Sequence, residues 1–352
     1  MPMIVNFGAG DERNSAILAK TVLGASLAAS SIPVAIFAGL GLWWGEHPLG
    51  STALAFALVL PGLLLQQCCI SLLYARQRQL LAVATNSLWL VTGLSGLLAL
   101  PRIASSDGAW VYVLAYGGAA YVSAGAAMVM LAAWPALGSV HAWYKEQRSS
   151  IVDLTVSDLL SRATGQSTVW ILGLVGGLSI TAGLRAASIP LGVPRILLSG
   201  LAPAMLAEGT RIYARRPEQL GWLIRGWAGI ALALVACVGL AFAAGSDTLG
   251  PAVGGDSWAL AAPILGWAVA IAAANTVIVP AQVGMNSLGS TRLAALTRAW
   301  TAPVPPLGTL VGGILMGGHG AVAGTAVGML LTAVVQITAF ERTFRRLQNY
   351  GG

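Results

Sequence analysis

The sequence predicts an all-α integral membrane protein of about ten transmembrane helices, divided between two helical bundles. Three observations predict it. Apolar residues make up 57% of the chain and charged residues 9%, with a mean hydropathy of +0.78; a soluble domain is about half apolar and a quarter charged. The 352 residues divide into apolar runs of about 20 residues, the length that a ~30 Å hydrocarbon core demands at 1.5 Å per residue. Basic residues collect at alternate ends of those runs. A water-soluble protein is excluded, and the net charge of +7 points to membrane topology rather than to nucleic acid.

The spans follow in order. The first, near 19–43, opens after the polar DERNSA; the second, 52–74, carries Pro61 and stops at Arg76; the third, 80–100, starts after Arg78; the fourth is 110–134. The fifth, 154–178, ends in glycines, and the sixth, 182–207, is interrupted by Pro190, Pro194 and Pro203. The seventh is 222–243, and the eighth, 258–282, carries Pro280. Pro303, Pro305 and Pro306 interrupt the ninth, 294–316, and the tenth, 321–340, stops before Arg342. Runs this long are helices, since helices alone satisfy every backbone group within one segment in lipid.

With the N-terminus in the cytoplasm, fifteen of the nineteen Lys and Arg residues fall on the cytoplasmic side, Arg102 falls opposite, and Arg162, Arg185 and Arg195 fall within spans. This positive-inside asymmetry requires an even number of spans and places both termini in the cytoplasm. The first sixteen residues are too polar for a signal peptide. The Arg excess over Lys, with abundant Ala and Gly, suggests a bacterial source, hence a multi-pass protein of the bacterial cytoplasmic membrane.

A weak internal repeat sets the domain organisation. The stretch following Arg78 parallels the one following Arg292, and each is preceded by a span with a proline, Pro61 and Pro280. The paired spans run in the same direction, so the repeat is parallel. It implies a bundle of four spans over 1–150 and one of six over 151–352. The stretch from Asp153 to Arg292 exceeds the stretch from Met1 to Arg78 by about 60 residues, which is two spans with their loops. The expectation is therefore a six-plus-six transporter of twelve spans whose first two are missing from the sequence. A misassigned start or a truncated, nonfunctional remnant would each account for that.

Ionisable groups within the hydrocarbon are costly and usually serve a cavity or a partner. Asp158 and Arg162 are four apart and share a face; they are either a local ion pair that helps insertion or part of a gate or proton-coupling element. Arg185 and Arg195 have no acidic residue near in sequence. On one continuous helix they lie about 80° apart around the axis and about 15 Å apart along it, so both can border one cavity. They either hold an anion there, or Arg185 snorkels to the interface while Arg195 bonds carbonyls freed by the prolines. Gln66, Gln67 and Asn86, with Asn275, are candidates for a polar lumen or for joining helices. Glycines 173, 176, 177, 312 and 313 suit close helix packing better than phosphate binding. Cys68, Cys69 and Cys237 read as buried apolar residues. His47, His141 and His319 lie far apart, no metal or catalytic pattern occurs, and neither a cofactor nor an enzymatic activity is expected.

The segment GLRAASIPLG, from Gly183 to Gly192, resembles the polysaccharide flippases of the multidrug/oligosaccharidyl-lipid/polysaccharide exporter superfamily, whose eighth helix carries Gly-x-Arg-Ala-Ala before a Leu-Gly-Pro-like turn. Val193 and Pro194 depart from it. LPGLLLQQCCISLLYARQRQ is similar to the family's fourth helix, with Gln67 and Ile70 where an acidic residue and an arginine are frequent. The resemblance implies a MATE-like pair of bundles alternately open to each side. It also implies a polyprenyl-diphosphate-linked oligosaccharide substrate moved between leaflets, and a pathway polymerase and glycosyltransferases as partners. Arg185 and Arg195 would then neutralise the diphosphate. A small-molecule antiporter of the same fold is the alternative.

Overall fold

The computed structural model describes residues 12–104 and 108–350, and side chains over 16–99 and 108–348. The side chains of Arg13, Arg102 and Asp107 lie outside these. The chain divides into two compact units, Met1–Arg148 and Ser149–Gly352.

In the first unit, α1 (Glu12–Trp44), α2 (Pro48–Ala75), α3 (Gln79–Ala104) and α4 (Ala109–Leu131) run up and down. Helix α2 starts with Pro48, where no amide partner is needed, and His47 Nδ1 accepts from the Leu49 amide at 3.2 Å. Its Pro61 is followed by Gly62, which lets the Tyr121 ring approach so that the phenol donates to the Leu58 carbonyl at 2.7 Å. Helix α4 ends at Ala132 in the left-handed region, φ 49°. The last carbonyls of α4, at Met130 and Leu131, accept from the guanidiniums of Arg78 and Arg76, each at 3.0 Å. Two arginines assigned to topology by sequence thus also cap a helix. The core joins α1, α2 and α4 through Leu23, Leu65, Cys69, Leu72, Ala124 and Ala127.

In the second unit, α5 (Val140–Ser188), whose first turns belong to the first unit, reverses at Gly177, where φ is 81°. A β-carbon on Gly173 would sit 3.8 Å from Thr181 Oγ1, a pair about 12 Å apart along a continuous helix. Then come α6 (Gly192–Arg215), α7 (Pro217–Ala244), short helical turns over 249–264, α8 (Leu265–Ser287), α9 (Thr291–Thr301) and α10 (Val304–Tyr350). Helix α10 reverses at Met316 and Gly317. Its two arms meet backbone to backbone: a β-carbon on Gly312 would strike the Gly320 carbonyl, one on Gly324 the Gly308 carbonyl, and the Thr309 and Thr325 hydroxyls are 2.7 Å apart. Helix α8 packs against α6, α7 and α10.

Eight stretches of the described residues are long and apolar enough to cross a membrane. Two contain the reversals at Gly177 and Met316–Gly317 and so comprise two helical arms each.

Large apolar side chains face outward as well as inward. Leu174, Leu178, Ile314 and Trp43 are 71% exposed or more, while Leu72, Leu220 and Phe340 are buried and Ala is the most frequent buried apolar residue among those described. Lipid is as apolar as leucine, so large apolar side chains gain little by facing inward and small residues set the packing distance. Cys237 corrects an expectation on this ground: it is exposed on the outer face of α7, while Cys68 and Cys69 are buried. An apolar run does not say which face looks inward.

Candidate functional site

Arg185 stands on the second arm of α5, three residues before its end at Ser188. Pro190 lies in the turn at Ile189–Leu191, held by the Ile189 amide on the Ala186 carbonyl (3.2 Å) and the Gly192 amide on Ile189 (3.0 Å). Helix α6 restarts at Gly192, with Pro194 in its first turn and Arg195 behind it. The turn corrects the geometry expected of one continuous helix, because an interrupted helix does not carry its phase across the break. The angular offset and axial separation that an unbroken helix would give the two arginines therefore do not apply. The opposite side of this segment, Ala186, Ala187 and Leu191, is buried against Val235, Trp258, Ala261 and Leu265. Both arginine side chains are exposed, and no described hydrogen bond or ion pair engages them. They present two cations on either side of a helix break, with their donors open to an anion.

A second polar group gathers where the first arm of α5 meets α9. Arg162 Nε donates to Asp158 Oδ2 at 2.7 Å, and both side chains are largely exposed. The Arg298 guanidinium donates to the Ser161 hydroxyl. Thr164 donates to the Ala302 carbonyl at 3.1 Å. That carbonyl sits at the break Ala302–Pro303 between α9 and α10, and Pro306, four residues on, has no amide to offer it. The same hydroxyl also lies 2.7 Å from the Leu160 carbonyl of its own helix, so its one proton is shared between a carbonyl of its own arm and the one at the proline break. Sequence reasoning placed Arg298 among the topological charges and missed this contact; nothing local marks a residue 137 positions from its partner.

The amides separate. Gln66 is buried and its Nε2 donates to Asn86 Oδ1 at 3.2 Å, joining α2 to α3, whereas Gln67 is exposed. Adjacent helical positions point about 100° apart, so the two cannot serve one cavity equally. Asn275 bonds back to the Ile271 carbonyl of its own helix at 3.1 Å. Sequence reasoning also passed over Gln336, fully buried on α10, whose Nε2 donates to Thr301 Oγ1 at 3.2 Å while Oε1 has no hydrogen-bond partner among the described residues. The glycines serve packing and turning: Gly176 lies against Gly318, Gly313 against Val175, Gly312 against Gly320, and Gly177 makes a reversal. No cluster of three or more His, Cys, Asp or Glu side chains placed to hold a metal occurs among the described residues.

No protein-family model and no curated protein matches the chain. Solved structures do. A point variant of the Vibrio cholerae MATE transporter VcmN superposes with a TM-score of 0.77 at 14% identity, over 98% of this chain and 84% of that one. An outward-facing multidrug resistance MATE family transporter of the MOP superfamily gives 0.75 at 13% identity, over 99% and 84%. A MATE protein in complex with MaL6 gives 0.69 at 12%, over 99% and 84%. At these identities the likeness establishes the fold: the chain is an all-helical membrane protein with MATE architecture.

Proposed function

We propose that this chain, folded as the MATE transporters are, is a multi-pass membrane transporter working by alternating access, and that its substrate is a polyprenyl-diphosphate-linked oligosaccharide. The observation that supports the reading is the pair Arg185 and Arg195. Each is exposed beside the break at Ile189–Leu191, and neither takes part in a described ion pair. A diphosphate crossing a low-dielectric region needs cations that do not lose their proton, and arginine keeps its charge and grips phosphate oxygens in pairs. The prenyl tail stays in the bilayer while the headgroup passes. The membrane is the bacterial cytoplasmic membrane with both termini inside, in keeping with the basic residues at alternate helix ends. A polymerase and glycosyltransferases would act before and after the transfer.

The second reading is a small-molecule antiporter, favoured by the likeness to a structure that is a multidrug resistance transporter by name. Such exchange usually couples to a cation through a carboxylate within the membrane. Among the described side chains of the first unit the carboxylates are Glu46 and Glu146, one between helices and one in the opening turns of α5.

The test is deletion of the gene, complementation, and quantification of polyprenyl-linked oligosaccharide on each membrane face. Accumulation on the cytoplasmic face, reversed by the gene, is the expected result. An unchanged lipid pool together with altered export of small cations would replace it with the antiporter.

A further inference from the structure

Near the end of α10 the chain forms a shallow cleft of about 270 Å³ lined by Ile337, Thr338, Glu341, Arg342 and Arg345. One carboxylate lies in it, and that carboxylate is already engaged: Arg225 on α7 grips Glu341 with two hydrogen bonds, Nε to Oε1 at 2.9 Å and a terminal nitrogen to Oε2 at 3.2 Å. Arg342 and Arg345 are exposed and take part in no described ion pair, so the cleft carries two uncompensated positive charges. Arg345 continues an apolar stripe, since positions 327, 331, 334, 338, 341 and 345 recur at three and four residues, and Arg342 stands beside it, four residues from Thr338 and three from Arg345. On that stripe Val327, Leu331 and Val334 are each at least half exposed. A helix face that is apolar for two turns and ends in a charged cleft with a hydroxyl, Thr338, has the order of groups of a phospholipid: acyl chain, ester region, phosphate.

We infer that this cleft binds the headgroup of an anionic phospholipid, with the phosphate between Arg342 and Arg345 and one acyl chain along Val327, Leu331 and Val334. Charge complementarity selects the occupant. A zwitterionic headgroup brings its own cation to two arginines, whereas an anionic one does not. The Arg225–Glu341 fork supports selectivity by removing the cleft's single carboxylate from competition. A polyprenyl diphosphate shares the phosphate chemistry, but its branched, unsaturated chain makes it a separate arm of the test. The site is independent of Arg185 and Arg195 and of any transported substrate.

The experiment uses the purified full chain in a neutral detergent and fluorescent phosphatidylglycerol and phosphatidylcholine, with binding read by anisotropy. Phosphatidylglycerol is expected to bind at least tenfold more tightly than phosphatidylcholine. Each arginine near a lipid surface contributes about fivefold in affinity, so R342Q/R345Q should lose roughly twenty-five-fold for phosphatidylglycerol and change little for phosphatidylcholine. R342K/R345K should keep most of the affinity, and R215Q, an exposed basic residue at the end of α6, should leave it unchanged. Equal binding of the two lipids by the natural sequence overturns the inference without any variant being needed. So does displacement of phosphatidylglycerol by equimolar inorganic phosphate, which would make the cleft a free-anion site, or by equimolar polyprenyl diphosphate with higher affinity, which would make it a substrate site.

Discussion

The Thr164 hydroxyl shares its proton between the Leu160 carbonyl of its own helix, at 2.7 Å, and the carbonyl of Ala302, 138 residues away, at 3.1 Å. The second bond ties the first arm of α5 to the break between α9 and α10, at a carbonyl that Pro306 leaves without its helical donor. Both residues are half-buried, and polar contacts between membrane helices are worth about 0.6 kcal/mol on average and up to ~1.7. Thr164→Val should therefore lower stability by about 0.6 kcal/mol in a micellar unfolding titration, and Thr164→Ser should restore most of it. Equal stability of the two variants would mean that the carbonyl finds another donor.

The α10 hairpin makes a sharper claim. A side chain at Gly312 or Gly324 would strike a backbone carbonyl of the facing arm, which has no rotamer with which to yield. Gly312→Val should cost about 3 kcal/mol or more, or abolish expression, as overpacking a tight contact does. Gly229 on α7 has open space where its β-carbon would be, so Gly229→Ala should be neutral or stabilising by up to about 1 kcal/mol. A thermal-melt comparison of these two variants in one detergent checks both signs.

Arg185 and Arg195 are exposed cations, so replacing them should change transport and leave stability within about 0.5 kcal/mol. Arg185→Gln should reduce movement of lipid-linked oligosaccharide in reconstituted vesicles by about tenfold or more, the scale of one lost charge-assisted contact. Arg185→Lys should fall between. If lysine and glutamine variants transport equally well, the arginine does not bind phosphate.

Asp158 and Arg162 form an ion pair with both side chains mostly exposed, the class of pair that contributes about 0–1 kcal/mol. Asp158→Asn should leave the melting temperature nearly unchanged. The Arg298 guanidinium meets Ser161, three residues along from Asp158, so a gating role for Asp158 beyond its pair would show as a transport defect in Asp158→Asn that Arg162→Gln does not reproduce. A defect common to both would identify the local pair as the functional unit.

Gln336 is fully buried with one bond to Thr301 and an oxygen that has no partner among the described residues. Replacing it by leucine removes a desolvated polar atom as well as a hydrogen bond, so Gln336→Leu should change stability by less than about 1 kcal/mol. A marked loss of transport at unchanged stability would identify a polar path that the amide lines.

The approximate ends of the apolar helices are written along the chain, but the places where helices break are written only in part: the chain breaks beside Pro190 and Pro303, whereas Pro203, expected to interrupt the sixth span, lies inside the continuous α6, as Pro280 lies inside α8. Hydropathy sums over about 20 residues, and prolines at 190 and 303 remove backbone donors whatever the surroundings. The pairing of Asp158 with Arg162 is equally local, because four residues on a helix fix their proximity. Which faces look inward emerges only when the helices pack. A helix apolar all round carries no stripe to orient it, so Gln66 and Gln67 read alike although one joins α3 and the other is exposed, and Cys237 reads like Cys69 although it faces outward. The same holds for Arg298 meeting Ser161 and Thr164 meeting Ala302. Those contacts are set by the packing distance that glycine and alanine allow between arms far apart in sequence, which no local pattern encodes.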